Sequence, residues 1–369
     1  MLYWSLKTLL SEPMRLAVSV LAVAVSFIFV IFFRAVFEGE SDQMVAYIKK
    51  MNADAWVMQK GVSNMHMASS MLWDWKADKI AQLPEVKEVS TMLYLNCPVK
   101  VAGKNWFSYI IGISPEYSRA GPWSLVQGKA MPGSGEAVIP DVISKMTGVK
   151  IGDQITMIDR ELKIVGLTRG TFSMASSLFF VSHQDLGDLL DASDQYSYIM
   201  VYAKPGVATN ILVGRIKQDL EKINVLSGKE FIENDWKLAV HMGAKIIRMM
   251  TILGTMLATL IIAFTAYSLI TRKKQELAIA KALGYKNSQL YLAVLFQNLL
   301  LSVVGLLLAL VISFTLLAWL PTLIPQVNLS IRLHHFTSVA IIVFPVATLA
   351  SLAAARTVAK LDPLSVFQS

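Results

Sequence analysis

Four long apolar stretches constrain this chain more than any other feature. They cover residues 16–33, 249–270, 290–320 and 336–355. Each is close to, or longer than, the roughly 20 residues that a helix needs to cross the hydrocarbon core of a bilayer. The chain is 54% hydrophobic with a mean hydropathy of +0.52, well above the range of a soluble enzyme. The sequence therefore predicts an α-helical membrane protein with four transmembrane helices.

The formal net charge of +8 is unevenly distributed. Residues 38–243 carry 21 basic and 23 acidic side chains, a net charge of −2, whereas the rest of the chain carries 13 basic and 3 acidic, a net charge of +10. A nucleic-acid partner is not expected, because it would require a basic face on a folded domain. The positive-inside rule instead places both termini and residues 272–289 in the cytoplasm, and residues 38–243 outside.

These observations predict a layout for a multi-pass protein of the bacterial cytoplasmic (inner) membrane. In chain order we expect an interfacial cytoplasmic helix (1–13), TM1 (14–37), a large extracytoplasmic domain (38–243), TM2 (244–271), a cytoplasmic helix (272–289), TM3 (290–320), a short external loop (321–335), TM4 (336–355) and a cytoplasmic tail (356–369). A cleaved signal peptide is the alternative for the first stretch. Its apolar core is longer than that of a signal peptide and no small-residue cleavage site follows, which favours a retained anchor.

The extracytoplasmic region is predicted to be mixed α/β. Alternating or apolar runs typical of strands occur at 55–58, 89–94, 99–101, 107–113, 137–139, 155–158, 162–165, 178–181 and 198–202. Helical patterns occur at 76–83, 141–146, 184–190 and 209–222. Glycine and proline cluster at 120–135, which would suit a boundary between two subdomains. Cys97 is the only cysteine, so this domain has no internal disulfide.

The motifs of common enzymes are absent from the sequence. Ser227-Gly228-Lys229 is followed by Glu230, where a P-loop needs Ser or Thr to reach magnesium, and there is no H-E-x-x-H, C-x-x-C or G-x-S-x-G. The sequence therefore predicts no catalytic residues, no metal site and no cofactor within this chain.

One short segment of the extracytoplasmic region could contact a ligand or a partner. Met65, His66 and Met67 are soft ligands for copper(I) or haem iron, although three consecutive strand residues cannot all face one ion. Trp73 and Trp75 add aromatic surface that suits a lipophilic ligand or a partner subunit. The alternative is that these residues form a loop and fill the domain's own core.

Residues 272–289 connect the second and third apolar stretches. As a helix, this segment would place Ala278, Ile279, Ala282 and Leu283 on one face, and Gly284 would end it as the C′ residue. A solvated charged loop is the alternative.

Two motifs carry a resemblance to a known family. The run R-K-K-Q-E-L-A-I-A-K-A-L-G-Y at 272–285 and the C-terminal run A-A-A-R-T-V-A-K-L-D-P-L-S-V-F resemble the FtsX-like permeases, the MacB-type subunits of ABC transporters. A-D-A-W-V-M-Q-K-G, at 53–61, is most similar to exporter permeases of the DevC and HrtB type. The order of one span, a large external domain and three further spans also fits this family.

The resemblance implies a division of labour. A separate ABC ATPase subunit binds ATP and magnesium, and residues 272–289 dock into it as a coupling helix. The residues expected at this contact are Glu276 and Lys281 as polar partners, Ala278, Ile279 and Ala282 in the ATPase groove, and Gly284 at the helix end. A second permease copy completes the unit, as a homodimer or a heterodimer.

The resemblance also implies the work done. ATP hydrolysis would drive extracytoplasmic movements that export a lipophilic or amphipathic substrate at the outer leaflet or in the periplasm. Membrane lipid is an expected partner, and a periplasmic adaptor and an outer-membrane channel are candidate partners. Haem is a minor candidate as cargo. The alternatives are an FtsX-like signalling scaffold that activates a cell-wall hydrolase, and a lipoprotein-release permease.

Overall fold

The computed structural model describes residues 7, 10–174, 177–272, 274–334 and 336–341, together with positions 344, 345, 348, 349 and 352. The chain divides into two units. One comprises Met1–Glu38, Gly243–Leu320 and Leu329–Ser369, and the other comprises Gly39–Met242 and Pro321–Asn328. Most of the predicted interfacial helix, the end of the predicted fourth span and the predicted tail lie outside the described residues.

Nine helices are named here in chain order: α1 (Pro13–Met44), α2 (Ala46–Met51), α3 (Trp75–Ala81), α4 (Asp141–Thr147), α5 (His183–Leu190), α6 (Thr209–Asp219), α7 (Gly228–Arg272), α8 (Lys274–Ala282) and α9 (Asn287–Leu323). The strands are β1 (Ala55–Gln59), β2 (Leu72–Trp73), β3 (Val86–Val101), β4 (Lys104–Ile113), β5 (Leu125–Gly128), β6 (Glu136–Pro140), β7 (Gln154–Met157), β8 (Arg160–Thr168), β9 (Ser177–Ser182), β10 (Gln195–Tyr196), β11 (Tyr198–Ala203) and β12 (Ile223–Ser227).

A ten-stranded mixed sheet organises the second unit, which we call the α/β domain. The strand order is β12-β1-β11-β3-β4-β9-β6-β8-β5, and β7 pairs with β3 and β8. The β4–β9 and β6–β8 pairs are parallel, and the other pairs are antiparallel. β3 has 16 residues and changes partner along its length, from β11 up to Met92 to β4 from Leu93 onward.

The predicted mixed α/β character is confirmed. Each predicted strand and helix of this region overlaps an observed one, but the strands predicted at 89–94 and 99–101 are parts of the single strand β3. β4, before residues 120–135, and β6, after them, belong to the same sheet. A division into two subdomains at this position stays a prediction.

Among the residues that the structure describes, two helical segments are long and apolar enough to cross a membrane, Leu16–Met44 and Asn287–Leu316. α7 contains a shorter apolar segment, Ile252–Thr265. Gly254 lets this segment approach α1, because a Cβ atom there would lie 2.8 Å from Val30 Cγ2. Glycine commonly serves this purpose between membrane helices.

Both α1 and α7 extend beyond the predicted spans. α1 continues to Met44, past the predicted end of TM1 at residue 37, and α7 begins at Gly228, 16 residues before the predicted start of TM2 at 244. The extensions carry polar residues, so hydropathy alone marks only the apolar part of each helix.

Candidate functional site

The start of α7 is fixed by a capping box. Ser227 Oγ accepts a hydrogen bond from the Glu230 amide at 3.2 Å, and Glu230 Oε2 accepts from the Ser227 amide at 3.0 Å and from its hydroxyl at 2.9 Å. This reciprocal arrangement satisfies two amides that a helix N-terminus otherwise leaves unpaired. The same hydrogen bonds lower the pKa of Glu230 below its usual value. The acidic residue that rules out a P-loop is therefore a helix-capping residue.

Asp235, two turns into α7, is the centre of a buried hydrogen-bond network. Its carboxylate accepts from the Met65 amide at 2.9 Å, from the His66 amide at 3.3 Å and from His66 Nδ1 at 2.7 Å. The side chains of Asp235 and His66 are 0% and 4% exposed. A buried carboxylate is stable only when its oxygens are satisfied in this way. Asp235 thus ties α7 to a loop 169 residues earlier in the chain.

The loop held by Asp235 has further hydrogen bonds to the α/β domain. Tyr198 Oη donates to the carbonyls of Asn64 and Ala68, both at 3.3 Å. Burial, followed by the nearby carboxylate of Asp235, raises the pKa of Tyr198 well above its usual range, so the hydroxyl remains a donor. Asn234 of α7 adds a bond from Nδ2 to the Ser63 carbonyl at 3.0 Å.

Aromatic packing completes this anchor. Phe231 of α7 is fully buried, with its ring centroid 5.0 Å from Trp56 and 5.8 Å from Tyr198. Fully burying a phenylalanine contributes about 1.5–3 kcal/mol. The first two turns of α7 are therefore part of the core of the α/β domain. We call this region, Phe231 and Asp235 with the loop at 62–68, the α7 anchor.

The three residues considered as soft ligands do not converge. Met65 is buried in the core, His66 Nδ1 is bound to Asp235, and Met67 is 65% exposed. Within the described parts of the chain, no group of three or more His, Cys, Asp or Glu side chains could hold a metal ion. Contact of Met65, His66 and Met67 with haem stays a prediction, and this geometry gives it no common binding point.

The two tryptophans are partly at the surface. Trp73, on β2, is 54% exposed, and Trp75, at the start of α3, is 50% exposed. Leu72 between the loop and Trp73 is buried, as alternation along a strand requires. The indole rings remain available for a partner or an amphipathic ligand, and that role stays a prediction.

A second network holds the loop at 321–328 within the α/β domain. Glu40 Oε1, on α1, accepts from the Asn328 amide and from its Nδ2, both at 3.0 Å. Glu40 Oε2 accepts from the Met174 amide at 3.1 Å, and Asn328 Nδ2 also donates to the Phe172 carbonyl at 3.1 Å. The loop between the predicted third and fourth spans is thus bonded to the end of α1 and to the loop before β9.

α8 ends in a Schellman motif. The Tyr285 amide bonds to the Ala280 carbonyl at 3.2 Å and the Gly284 amide to the Lys281 carbonyl at 3.1 Å. Gly284 has a φ of 92°, a conformation that favours glycine over residues with a Cβ atom. The expected helix and its C′ glycine are therefore present, in place of the alternative solvated loop.

The predicted contact residues of α8 divide by exposure. Glu276 and Ala282 are exposed, Ile279 is 47% exposed and Lys281 is half-buried. Ala278, expected in the ATPase groove, is only 2% exposed and so is packed within the permease itself. Leu283 is 75% exposed, so Leu283 and not Ala278 contributes to the exposed apolar surface of α8. The amphipathic pattern predicts an apolar stripe along α8. It does not indicate which side chains of this stripe are covered by the rest of the chain.

Comparison with known proteins identifies the chain. The MacB-like periplasmic core domain family matches residues 16–219, more than half of the chain, and the FtsX-like permease C-terminal family matches residues 248–363. The periplasmic region of MacB from Actinobacillus actinomycetemcomitans is 11% identical, with 51% of this chain and 94% of that chain covered and a TM-score of 0.40. The extracellular domain of the noncanonic ABC-type transporter YknZ from Gram-positive bacteria is 11% identical, with 47% and 100% covered and a TM-score of 0.37. At these TM-scores the identification rests on the two family matches alone.

The two family matches, one over the α/β domain and one over the region after it, define the chain as the membrane subunit of an ABC transporter. The chain belongs to the MacB-like and FtsX-like permease family. Members of this family are non-catalytic transmembrane components that are integral to the inner membrane and work with an ATPase subunit. The resemblance of residues 272–285 and of the C-terminal motif to this family is confirmed.

Proposed function

We propose that this permease couples ATP hydrolysis by a separate ATPase subunit to movements of its α/β domain that export a lipophilic or amphipathic substrate. In this proposal four helices cross the membrane: α1, the apolar part of α7, α9 and a helix over 336–355. Both termini and α8 lie in the cytoplasm, and the α/β domain lies outside. Two permease copies and two ATPase subunits form the working unit.

The observation that carries the proposal is the continuity of α7. It is a single helix of 45 residues whose first turns form the α7 anchor. Asp235 and Arg272 both belong to this one helix. Since an unbroken helix is stiff, displacement at its cytoplasmic end would be passed to the α/β domain instead of being lost in a flexible loop.

The exposed surface of α8 supports the second half of the proposal. Ile279, Ala282 and Leu283 offer apolar side chains beside the exposed carboxylate of Glu276. An apolar centre with a polar rim is the usual composition of a protein interface. The Schellman motif at Gly284 holds this surface in a fixed conformation, which lowers the entropy lost on docking.

Transport by movement predicts a measurable change in the α/β domain. A spin label at Lys104→Cys, an exposed position at the start of β4, would report the distance between the two permease copies when the complex is reconstituted with its ATPase in lipid nanodiscs. We expect this distance to shift by several ångströms when ATP is trapped with vanadate. An unchanged distance distribution under ATP trapping would refute the proposal.

The role of α8 is tested separately. Glu276→Lys should lower the ATPase stimulation by the permease and the transport that depends on it, because it reverses the charge at the rim of the contact. Gln275→Lys is the control, since it also introduces a lysine, one residue away, and leaves the carboxylate in place. Undiminished coupling in Glu276→Lys would remove the role assigned to this residue.

The exposed Met67, Trp73 and Trp75 support an amphipathic substrate or a partner subunit on the α/β domain. Purification of the assembled complex from cells separates export from the alternatives. A periplasmic adaptor and an outer-membrane channel in the complex would support export. A cell-wall hydrolase in their place would support signalling, and a lipoprotein carrier would support lipoprotein release.

A further inference from the structure

A cavity of about 540 Å³ opens in the α/β domain, apart from the α7 anchor. It is lined by the end of α2, the last residues of β11 and the turn at 119–123. The lining residues are Lys50, Met51, Asn52, Asp54, Lys87, Arg119, Gly121, Pro122, Trp123, Tyr202 and Ala203. Pockets that hold small molecules have volumes of roughly 300–1,000 Å³, so this cavity has room for one.

The charge of the cavity wall is positive. Three basic side chains, Lys50, Lys87 and Arg119, line the cavity together with one carboxylate, that of Asp54. A second carboxylate, that of Glu88, is not part of the lining but pairs with Arg119, so the basic side chains still exceed the acidic ones by one. Asp54 Oδ2 already accepts from the Ala203 amide at 2.8 Å. Among the residues that the structure describes, no carboxylate forms an ion pair with Lys50 or Lys87, in contrast to the neighbouring Lys49, which pairs with Asp42 at 2.9 Å.

Arg119 is held in place before any ligand arrives. Its guanidinium carbon lies 4.1 Å from the centroid of the Tyr202 ring, and Nη1 lies 3.3 Å from Glu88 Oε2. Stacking on an aromatic ring and a carboxylate together fix the plane of the guanidinium, and its remaining N–H groups can still donate to an anion. A cation that is already oriented loses less entropy on binding.

Two aromatic side chains, Trp123 and Tyr202, also line the cavity. Tyr202 is largely buried, and its hydroxyl donates to the Met51 carbonyl at 3.0 Å. The half-buried Trp123 packs against Tyr47, with ring centroids 6.3 Å apart. Flat, immobilised rings of this kind accept an apolar or aromatic body, and the cations fit an anionic head.

We propose that this cavity is a binding site for a small anionic molecule, with a phosphate or carboxylate head on an apolar or aromatic body. Lys50, Lys87 and Arg119 bind the head, and Trp123 and Tyr202 contact the body. The proposal concerns a ligand of the α/β domain and does not depend on the permease exporting anything.

The test uses the full-length permease in lipid nanodiscs and 1-naphthyl phosphate as the probe, with binding measured by calorimetry. We expect saturable binding with one site per chain. Arg119→Gln and Lys87→Gln should each weaken it about fivefold to tenfold, because each removes one charge-assisted contact that is partly open to solvent. Lys104→Gln, an exposed lysine of the same domain outside the cavity, is the matched control and should leave the affinity unchanged.

Three further probes distinguish the head and the body. Uncharged 1-naphthol should bind at least about tenfold more weakly, since it lacks the anion. Comparing the affinities of 1-naphthoate and 1-naphthyl phosphate identifies whether the site prefers a carboxylate or a phosphate head. Comparing butyl phosphate with 1-naphthyl phosphate measures what the aromatic body adds to the affinity. The proposal is overturned if the probe does not saturate, if Lys104→Gln weakens binding as much as Arg119→Gln does, or if 1-naphthol binds as tightly as the phosphate.

Discussion

Replacing Asp235 by alanine would leave three buried donors without an acceptor: the amides of Met65 and His66 and the ring Nδ1–H of His66. Removing one partner of a buried charged network costs about 3–5 kcal/mol, a large share of the roughly 5–15 kcal/mol that stabilises a domain. We therefore expect the loop at 62–68 to separate from α7 while the sheet remains folded. Asp235→Asn retains one acceptor oxygen, so a smaller loss of about 2 kcal/mol is expected.

Hydrogen–deuterium exchange of the full-length permease in nanodiscs measures this opening directly. A loss of about 4 kcal/mol corresponds to about 1,000-fold faster exchange of the Met65 and His66 amides, and 2 kcal/mol to about 30-fold. Glu233→Ala is the matched control on the same helix, because Glu233 is exposed and its ion pair, at 2.8 Å, is with the exposed Lys237. Exchange of this loop in Asp235→Ala at the rate seen in the unaltered protein would refute the reasoning about the α7 anchor.

Three further predictions follow from local structure. Gly284→Ala should reduce permease-stimulated ATPase activity more than Gly284→Asn does. At a φ of 92° alanine is strained by about 1 kcal/mol or more, whereas asparagine tolerates positive φ better. Equal activities of the two variants would contradict this reasoning. The pKa of Glu230 is lowered in the folded protein, so its carboxylate contributes a stabilisation that is present above the usual glutamate pKa and lost as the pH falls through the lowered pKa. Glu230→Gln should remove this stabilisation. The acid unfolding profiles of the two proteins should therefore differ near neutral pH and coincide at the most acidic pH. Burial raises the pKa of Cys97 to about 11, so maleimide should label it only after unfolding, and rapid labelling of the native protein would contradict its burial.

Much of the fold can be predicted from local patterns. Strand alternation located the central strands because residues of a half-buried strand alternate between two faces. Gly284 could be predicted as a C′ residue because few other residues adopt its backbone conformation. The apolar stretches at 16–33 and 290–320 overlap the two segments, among the described residues, that are long and apolar enough to cross a membrane.

The α7 anchor was not predicted, although one of its signals is present in the sequence. Ser227 and Glu230 have the spacing of a capping box, and this could have placed the start of α7 correctly. The hydrogen-bond donors to Asp235 could not be predicted from a local pattern, because they belong to a loop that is distant in the sequence. The predicted strands at 89–94 and 99–101 are joined in β3 across a gap that contains Pro98. β7 pairs with β3 from Val99 onward, so proline is accommodated just before that pairing begins.

The hydrogen bonds of Glu40 and Asn328 have a consequence for how the α/β domain is composed. This unit combines residues 39–242 with residues 321–328. A fragment that ended at residue 242 would lack Asn328, and Glu40 Oε1 would lose both hydrogen bonds that this residue donates to it. Residues 321–328 therefore belong to the folded domain, although they follow α7 and most of α9 in the sequence.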